Sequence, residues 1–190
     1  MFIEKSLLAL TKILNCFERK NLNKIIYTSS SSVYNLYNES NLYDKKLTNR
    51  DIYSITKYLS EKILIDFSNK NGIDLKIARI FNVYGGDENF SIISKIVKSY
   101  QKKSPFILFN NGDSIRDFIH VDEVCEIYKK LLKSKSNPKF IFDIGKGYGH
   151  KIGDIINLIG EKKFKIINKN LPEQAVSIAN YNLIKKNKYE

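Results

Sequence analysis

The sequence predicts an α/β domain, and three observations carry that prediction. Short apolar runs suited to buried strands (Ile25 to Thr28, "IDLKIARIF" at 73–81, "KFIFDIG" at 139–145) alternate with longer amphipathic stretches at 3–20, 51–69 and 121–134. Breakers stand between them, Gly72 as a stop after one helix and Pro105 after another. No internal repeat or low-complexity linker interrupts the alternation.

Each element has its own warrant. Residues 3–20 put apolar side chains on one helical face, and "NLNKIIYTSS" then carries the first strand. The polar stretch 35–49 reads as a loop. The 51–69 segment has no proline or glycine and reads as one continuous helix. Residues 90–103 read as a helix, "FILF" as a short strand, and "NNGDSIRDFIH" as a turn leading into the helix at 121–134. A helix over roughly 151–160 and a strand in "KKFKII" follow, and the tail from 170 is weakly patterned.

Composition narrows the class. With 190 residues, 43% hydrophobic and 27% charged, the chain can bury a core in one domain, or in one domain plus a small lobe. No run reaches the roughly 18 apolar residues of a membrane span. Glu4, Lys5 and Lys12 interrupt what would be a signal-peptide core, and Asn15 is not the small residue a lipid-attachment box needs before Cys16. Cys16 and Cys125 belong to no CxxC or Cys/His cluster, so a cytoplasmic protein with free thiols and no metal site is expected. The net charge of +12 raises the question of nucleic acid. However, 28 of the 32 basic residues are Lys scattered among Asn and Ile, with no aromatic-interleaved basic stripe, so no nucleic-acid partner is expected.

The chemistry is concentrated in "DIYSITKYLSEK", residues 51–62. Tyr53 and Lys57 are four residues apart and share one helix face. A tyrosine has an unperturbed pKa of about 10, so its use as a base near neutrality asks about 4 kcal/mol of its surroundings. A nearby ammonium supplies part of that by favouring the phenolate. A hydroxyl able to bond the same substrate oxygen would complete such a site. The run "TSSSSVY" offers hydroxyls at the carboxyl end of the first strand, where ligands sit in open parallel sheets. By itself a Tyr-x-x-x-Lys spacing is weak evidence in a chain with 12 Tyr and 28 Lys.

The ordered set "TSSSSVY", "YSITK", "ARIFNVYG", "RDFIHVDEV" and "FDIGKGYGHKI" resembles the extended short-chain dehydrogenase/reductase family. More narrowly, it resembles the NAD-dependent nucleotide-sugar epimerases and dehydratases, with UDP-glucose 4-epimerase as the nearest type. The resemblance implies that Tyr53 is the catalytic base and that Lys57 holds the nicotinamide ribose and lowers the tyrosine pKa. Counting back from Val33-Tyr34 makes Ser30 the active-site hydroxyl, with a one-residue alternative inside the serine run. Ser30, Tyr53, Lys57 and Phe81 would meet the cofactor NAD, Phe81 through its backbone. Asn82 and Arg116 would meet the diphosphate of a nucleotide sugar, most simply a UDP-sugar, and a guanidinium fork suits that role. Ser31 and Ser32 stand where the dehydratases carry an Asp-Glu pair, which favours epimerase.

Two departures accompany the resemblance. The family opens on a strand, a glycine-rich turn and a helix N-terminus that cradle the dinucleotide pyrophosphate. Nothing in these 190 residues matches that element, and "GKGYG" at 145–149 fails the pattern at His150. Toward the end, Ser177 and Asn180 stand where an Arg and an Asp often bind nucleotide. The expected fold is therefore an incomplete doubly wound, Rossmann-like parallel sheet lacking its first strands, with a small α/β substrate lobe. Residues 1–87 would be the later half of the NAD-binding domain, and 88–190 mostly the substrate lobe. The expected partner, besides the substrate, is a complementary N-terminal half or a second copy. The alternative is a catalytically silent chain that binds a sugar nucleotide or a complementary chain.

Overall fold

The computed structural model describes residues 2–17, 22–38, 48–134, 141–160, 165–170 and 174–180. The first elements are α1 (Phe2–Cys16), β1 (Lys24–Ser30), a 3-10 helix (Ser31–Asn38), α2 (Asn49–Asn71), β2 (Asp74–Ile80), β3 (Asn82–Tyr84) and α3 (Ile92–Lys102). Then come β4 (Phe106–Phe109), β5 (Ile115–Arg116), β6 (Phe118–His120), α4 (Val121–Lys133), β7 (Ile141–Ile144), β8 (His150–Lys151), α5 (Ile152–Ile159), β9 (Ile166–Lys169) and β10 (Val176–Ser177). The alternation of helices with parallel strands is the α/β class expected from sequence. Two compact units divide the chain, Met1–Ile80 with Lys130–Phe142, and Phe81–Lys129 with Asp143–Glu190.

In the first unit β1 and β2 pair in parallel, from Lys24 opposite Asp74 to Ser30 opposite Ile80. The sheet order is β1-β2-β7, which leaves β1 at an edge among the described strands. Leu14 of α1, Leu64 of α2, and Leu75 and Ile77 of β2 form the core. Central strand β2 is buried along five consecutive residues, charged ones included. Lys76 is fully buried and pairs with Asp74 at 2.9 Å, its ammonium lying 5.9 Å from the Phe142 ring centroid. Lys24 donates to the carbonyls of Leu131 and Leu132 at 3.1 Å, satisfying acceptors that a helix end leaves open.

Helix α2 begins and ends for local reasons. Thr48 and Asp51 form a reciprocal capping box, and Gly72 closes the helix at φ 65°, a left-handed conformation that favours glycine. The predicted 51–69 helix is therefore two residues longer at each end.

In the second unit Ile96, Phe106, Leu108, Phe118, Ile152 and Ile156 make a separate core. Strand β4 pairs with β9 in parallel, Phe106 opposite Ile166. The strand expected in "KKFKII" thus sits a few residues later, because pairing with β4 rather than local hydropathy sets its ends. Part of the polar stretch read as a loop from 35 is the end of the 3-10 helix, which needs too few residues to leave a periodic signal.

Helix α3 is capped by Ser91, and Glu88 accepts from the Phe90 and Ser91 backbone N–H groups at 2.8 and 2.9 Å and from the Ser91 and Ser94 hydroxyls. The Ser91 hydroxyl above all, then its backbone N–H and the Ser94 hydroxyl, hold the Glu88 carboxyl at about 2. A carboxyl whose folded pKa is depressed stabilises the fold above its unfolded value and loses that contribution as pH falls through the folded one. NMR titration should therefore give a Glu88 midpoint near 2, and the α3 N-terminus should loosen only as pH falls below about 4 toward that value. A Glu88 midpoint at the ordinary value of 4.5 would contradict this.

Candidate active site

Tyr53 and Lys57 lie one turn apart on α2, as the i, i+4 spacing requires. They line a cavity of about 200 Å³ together with Leu10 of α1, Tyr27 of β1 and Ser60 of α2. Tyr53 is 37% exposed. The Lys57 ammonium donates to the Thr28 carbonyl at 2.9 Å and lies 5.8 Å from the Tyr53 ring centroid and 5.1 Å from that of Tyr27. Burial pushes the Lys57 pKa down, and the negative charge of Glu61 acts in the opposite direction. Burial also pushes the Tyr27 phenol up, a bond with the Ser60 hydroxyl partly offsetting it. Ser30 ends β1, and its Oγ accepts from the Ser32 N–H at 3.2 Å.

Beneath this pair is a buried polar cluster that sequence reasoning missed. Glu61 is 2% exposed, and Arg79 reaches it with two bonds, Nε to Oε1 at 3.0 Å and Nη2 to Oε2 at 2.7 Å. Ser29 donates to Glu61 Oε1 at 2.5 Å. The signal was present, since Glu61 continues the spacing Tyr53, Lys57, Glu61 along one helix face.

The remaining predicted residues are in the second unit. Phe81 is buried at 7%, and its backbone N–H donates to the Ile144 carbonyl at 3.0 Å. Asn82 sends both its backbone N–H and its Nδ2 to the Asp117 carbonyl, at 3.1 and 3.0 Å. Arg116 bonds the Ile115 carbonyl at 2.9 Å, and its strand neighbours in register are Ser177 on one side and His150 on the other. Asn82 is thus anchored on Asp117, the residue that follows Arg116 in the chain. Its fully buried carboxylate accepts from the Lys146 and Gly147 N–H groups at 2.8 Å and from the Ala179 N–H at 3.1 Å. Gly145 and Gly147 of "GKGYG" serve that clasp. A Cβ on Gly145 would stand 2.6 Å from Asp117 Oδ2, and Gly147 has φ 82°. The Asn180 N–H is taken by Asp143 at 3.0 Å.

Among the described residues no helix is long and apolar enough to cross a membrane, and no group of three or more His, Cys, Asp or Glu side chains could hold a metal. Cys16 and Cys125 are free and exposed.

Comparison with known proteins places this geometry. The chain is 31% identical over 140 residues to GDP-6-deoxy-D-talose 4-dehydrogenase of Aggregatibacter actinomycetemcomitans, covering 72% of this chain and 46% of that protein. It is 28% identical over 157 residues to UDP-glucose 4-epimerase of Mycoplasma genitalium, covering 71% and 46%. The chain spans less than half the length of these relatives. A solved UDP-N-acetylglucosamine 4-epimerase from Methanobrevibacter ruminantium superposes with a TM-score of 0.78 at 20% identity, over 98% of this chain and 63% of that one. The UDP-glucuronic acid 4-epimerase of Bacillus cereus, solved with UDP-glucuronic acid and NAD, gives 0.78 at 21%, over 97% and 62%. These structures share the fold. Residues 1–145 match a family described as NAD dependent epimerase/dehydratase, a span that holds Ser30, Tyr53, Lys57, Phe81, Asn82 and Arg116 alike, and the chain belongs to that family.

Proposed function

We infer that this chain carries the catalytic residues of an NAD-dependent nucleotide-sugar epimerase acting on a UDP-sugar. The observation that carries the reading is the shared helix face of Tyr53 and Lys57, opening on one cavity at the edge strand. Tyr53, as its phenolate, takes the proton of the sugar hydroxyl and becomes the neutral phenol, and the Lys57 ammonium, 5.8 Å from its ring centroid, is the positive charge beside that phenolate. Ser30 holds the same substrate oxygen by a hydrogen bond. Arg116 and Asn82 hold the diphosphate. When bound, NAD supplies the hydride acceptor and donor at the sugar carbon.

The residues present fit one end of that cofactor. A space of about 200 Å³ suits a nicotinamide and part of its ribose rather than a whole dinucleotide. An ammonium has three donors, of which the Thr28 carbonyl takes one, leaving capacity for ribose hydroxyls. For the pyrophosphate these 190 residues offer no glycine-rich turn. A complementary chain that supplies it would pair with β1, which lies at the sheet edge among the described strands. The second reading, a silent chain that binds a sugar nucleotide or such a partner, draws on the same missing turn.

Calorimetric titration of the purified chain tests the reading. UDP-glucose should bind, Arg116→Ala should weaken it about tenfold, and NAD should bind more weakly than micromolar. Sub-micromolar affinity for NAD would contradict the incomplete cofactor site. No binding of any UDP-sugar would remove the proposed substrate.

A further inference from the structure

We propose that Glu61 is a positioning residue for the Ser30, Tyr53 and Lys57 site, acting through its buried pairing with Arg79. The proposal rests on the reading of those three residues as catalytic. Four segments meet at this pair. Glu61 is two turns beyond Tyr53 and one beyond Lys57 on α2, while Arg79 belongs to β2. Ser29, next to Ser30 at the end of β1, donates to Glu61 Oε1 at 2.5 Å. The Arg79 guanidinium carbon stands 4.7 Å from the ring centroid of Tyr34, in the 3-10 helix that follows Ser30.

Both partners are almost wholly excluded from water, Glu61 at 2% and Arg79 at 5% exposure. A buried ion pair is a poor source of stability, since apolar residues of similar volume often serve as well. What the fork geometry does supply is direction. Two parallel N–H···O bonds fix α2 along and around its axis relative to β2, and the Ser29 bond fixes the end of β1 to the same carboxylate. Tyr53 and Lys57 on the helix and Ser30 on the strand end thereby keep one register. A displacement of about 1 Å between catalytic groups can cost a hundredfold in rate.

Glu61 also acts on Lys57 through charge. Of the elements around that ammonium, β1 presents Tyr27 and the Thr28 carbonyl, α2 presents Tyr53 and Glu61, and α1 lines the cavity with the uncharged Ser6 and Leu10. Glu61 is the one carboxylate in that set, β2 presents the Arg79 guanidinium paired with it, and the Glu61 charge opposes the effect of burial on Lys57.

Two measurements test the role, one of them independent of turnover. In protein carrying ε-13C lysine, with the Lys57 signal assigned by its loss in Lys57→Met, Glu61→Gln should make Lys57 titrate at lower pH than in the wild type. If Glu61→Gln does not fold, the turnover of the apolar pair Glu61→Leu/Arg79→Met, which removes both charges together, carries the test instead. An unchanged Lys57 midpoint in folded Glu61→Gln overturns the proposal. In the chain assembled with a glycine-rich N-terminal half, Glu61→Leu/Arg79→Met should keep its fold and the KM for UDP-glucose within about twofold, while kcat falls about tenfold or more. Wild-type kcat in the double variant also overturns it. If the wild-type assembly itself shows no turnover, the catalytic reading fails, and the Lys57 titration alone decides whether Glu61 acts on this site.

Discussion

Tyr53→Phe should lower epimerisation of UDP-glucose by about a thousandfold when the chain is assembled with a glycine-rich N-terminal half and NAD. The substitution removes one oxygen from a residue already 37% exposed, so it leaves no cavity and breaks no core packing. It removes the only atom of that side chain able to accept the sugar hydroxyl proton. The loss should fall on kcat, with KM for the sugar nucleotide little changed, because Arg116 and Asn82, which would hold the diphosphate, are untouched. Lys57→Met should cost less, since it removes a charge near the reacting oxygen and not the proton acceptor itself. Turnover of UDP-glucose by the two assemblies, measured side by side, checks the expectation. Equal rates would remove Tyr53 from the chemistry. A well-folded assembly without turnover would favour the silent, ligand-binding reading.

The largest effect on stability is expected at Asp117. Asp117→Ala leaves the N–H groups of Lys146, Gly147 and Ala179 without their buried acceptor. An orphaned buried donor costs about 1–3 kcal/mol; the Ala179 N–H is buried and those of Lys146 and Gly147 are half-buried, so together they cost about 3 kcal/mol. That is a large share of the whole stability of a small domain, about 5–15 kcal/mol. Asp117→Asn should be milder, keeping one acceptor oxygen but turning an amide N–H₂ toward donors. Urea unfolding gives the magnitude, and amide exchange at Lys146, Gly147 and Ala179 gives the location. A shift below about half a kcal/mol in Asp117→Ala would show that water replaces the carboxylate at little cost. Asp117→Ala keeps the backbone carbonyl that receives both bonds from Asn82, so the loss should be read in stability and not in the anchoring of Asn82.

The sequence made some parts of this molecule legible and left others hidden, for reasons of length and distance. Helix α2 was readable because 23 residues give a period time to show and Gly72 marks its end, whereas the Thr48 and Asp51 capping box at its start was not read. Strand β2 was readable from its apolar run, although nothing in "IDLKIARIF" says that Lys76 and Arg79 would be buried with it. Strands β3, β5, β6, β8 and β10 were not readable. Two or three residues cannot show alternation, and such segments become strands only when a partner arrives.

By itself the sequence determined the α/β class, the helix that carries Tyr53 and Lys57 on one face, and the order of motifs that marks the family. Each of these follows from residues close together along the chain, where spacing fixes geometry. Only the tertiary structure decided where charges could be buried and which distant groups satisfy them. Glu61 and Arg79 are 18 positions apart, and Asp117 lies 29 from Lys146 and 62 from Ala179. A buried carboxylate is stable only against donors placed within hydrogen-bond reach. Over such separations that placement comes from the packing of strands and helices and not from local pattern.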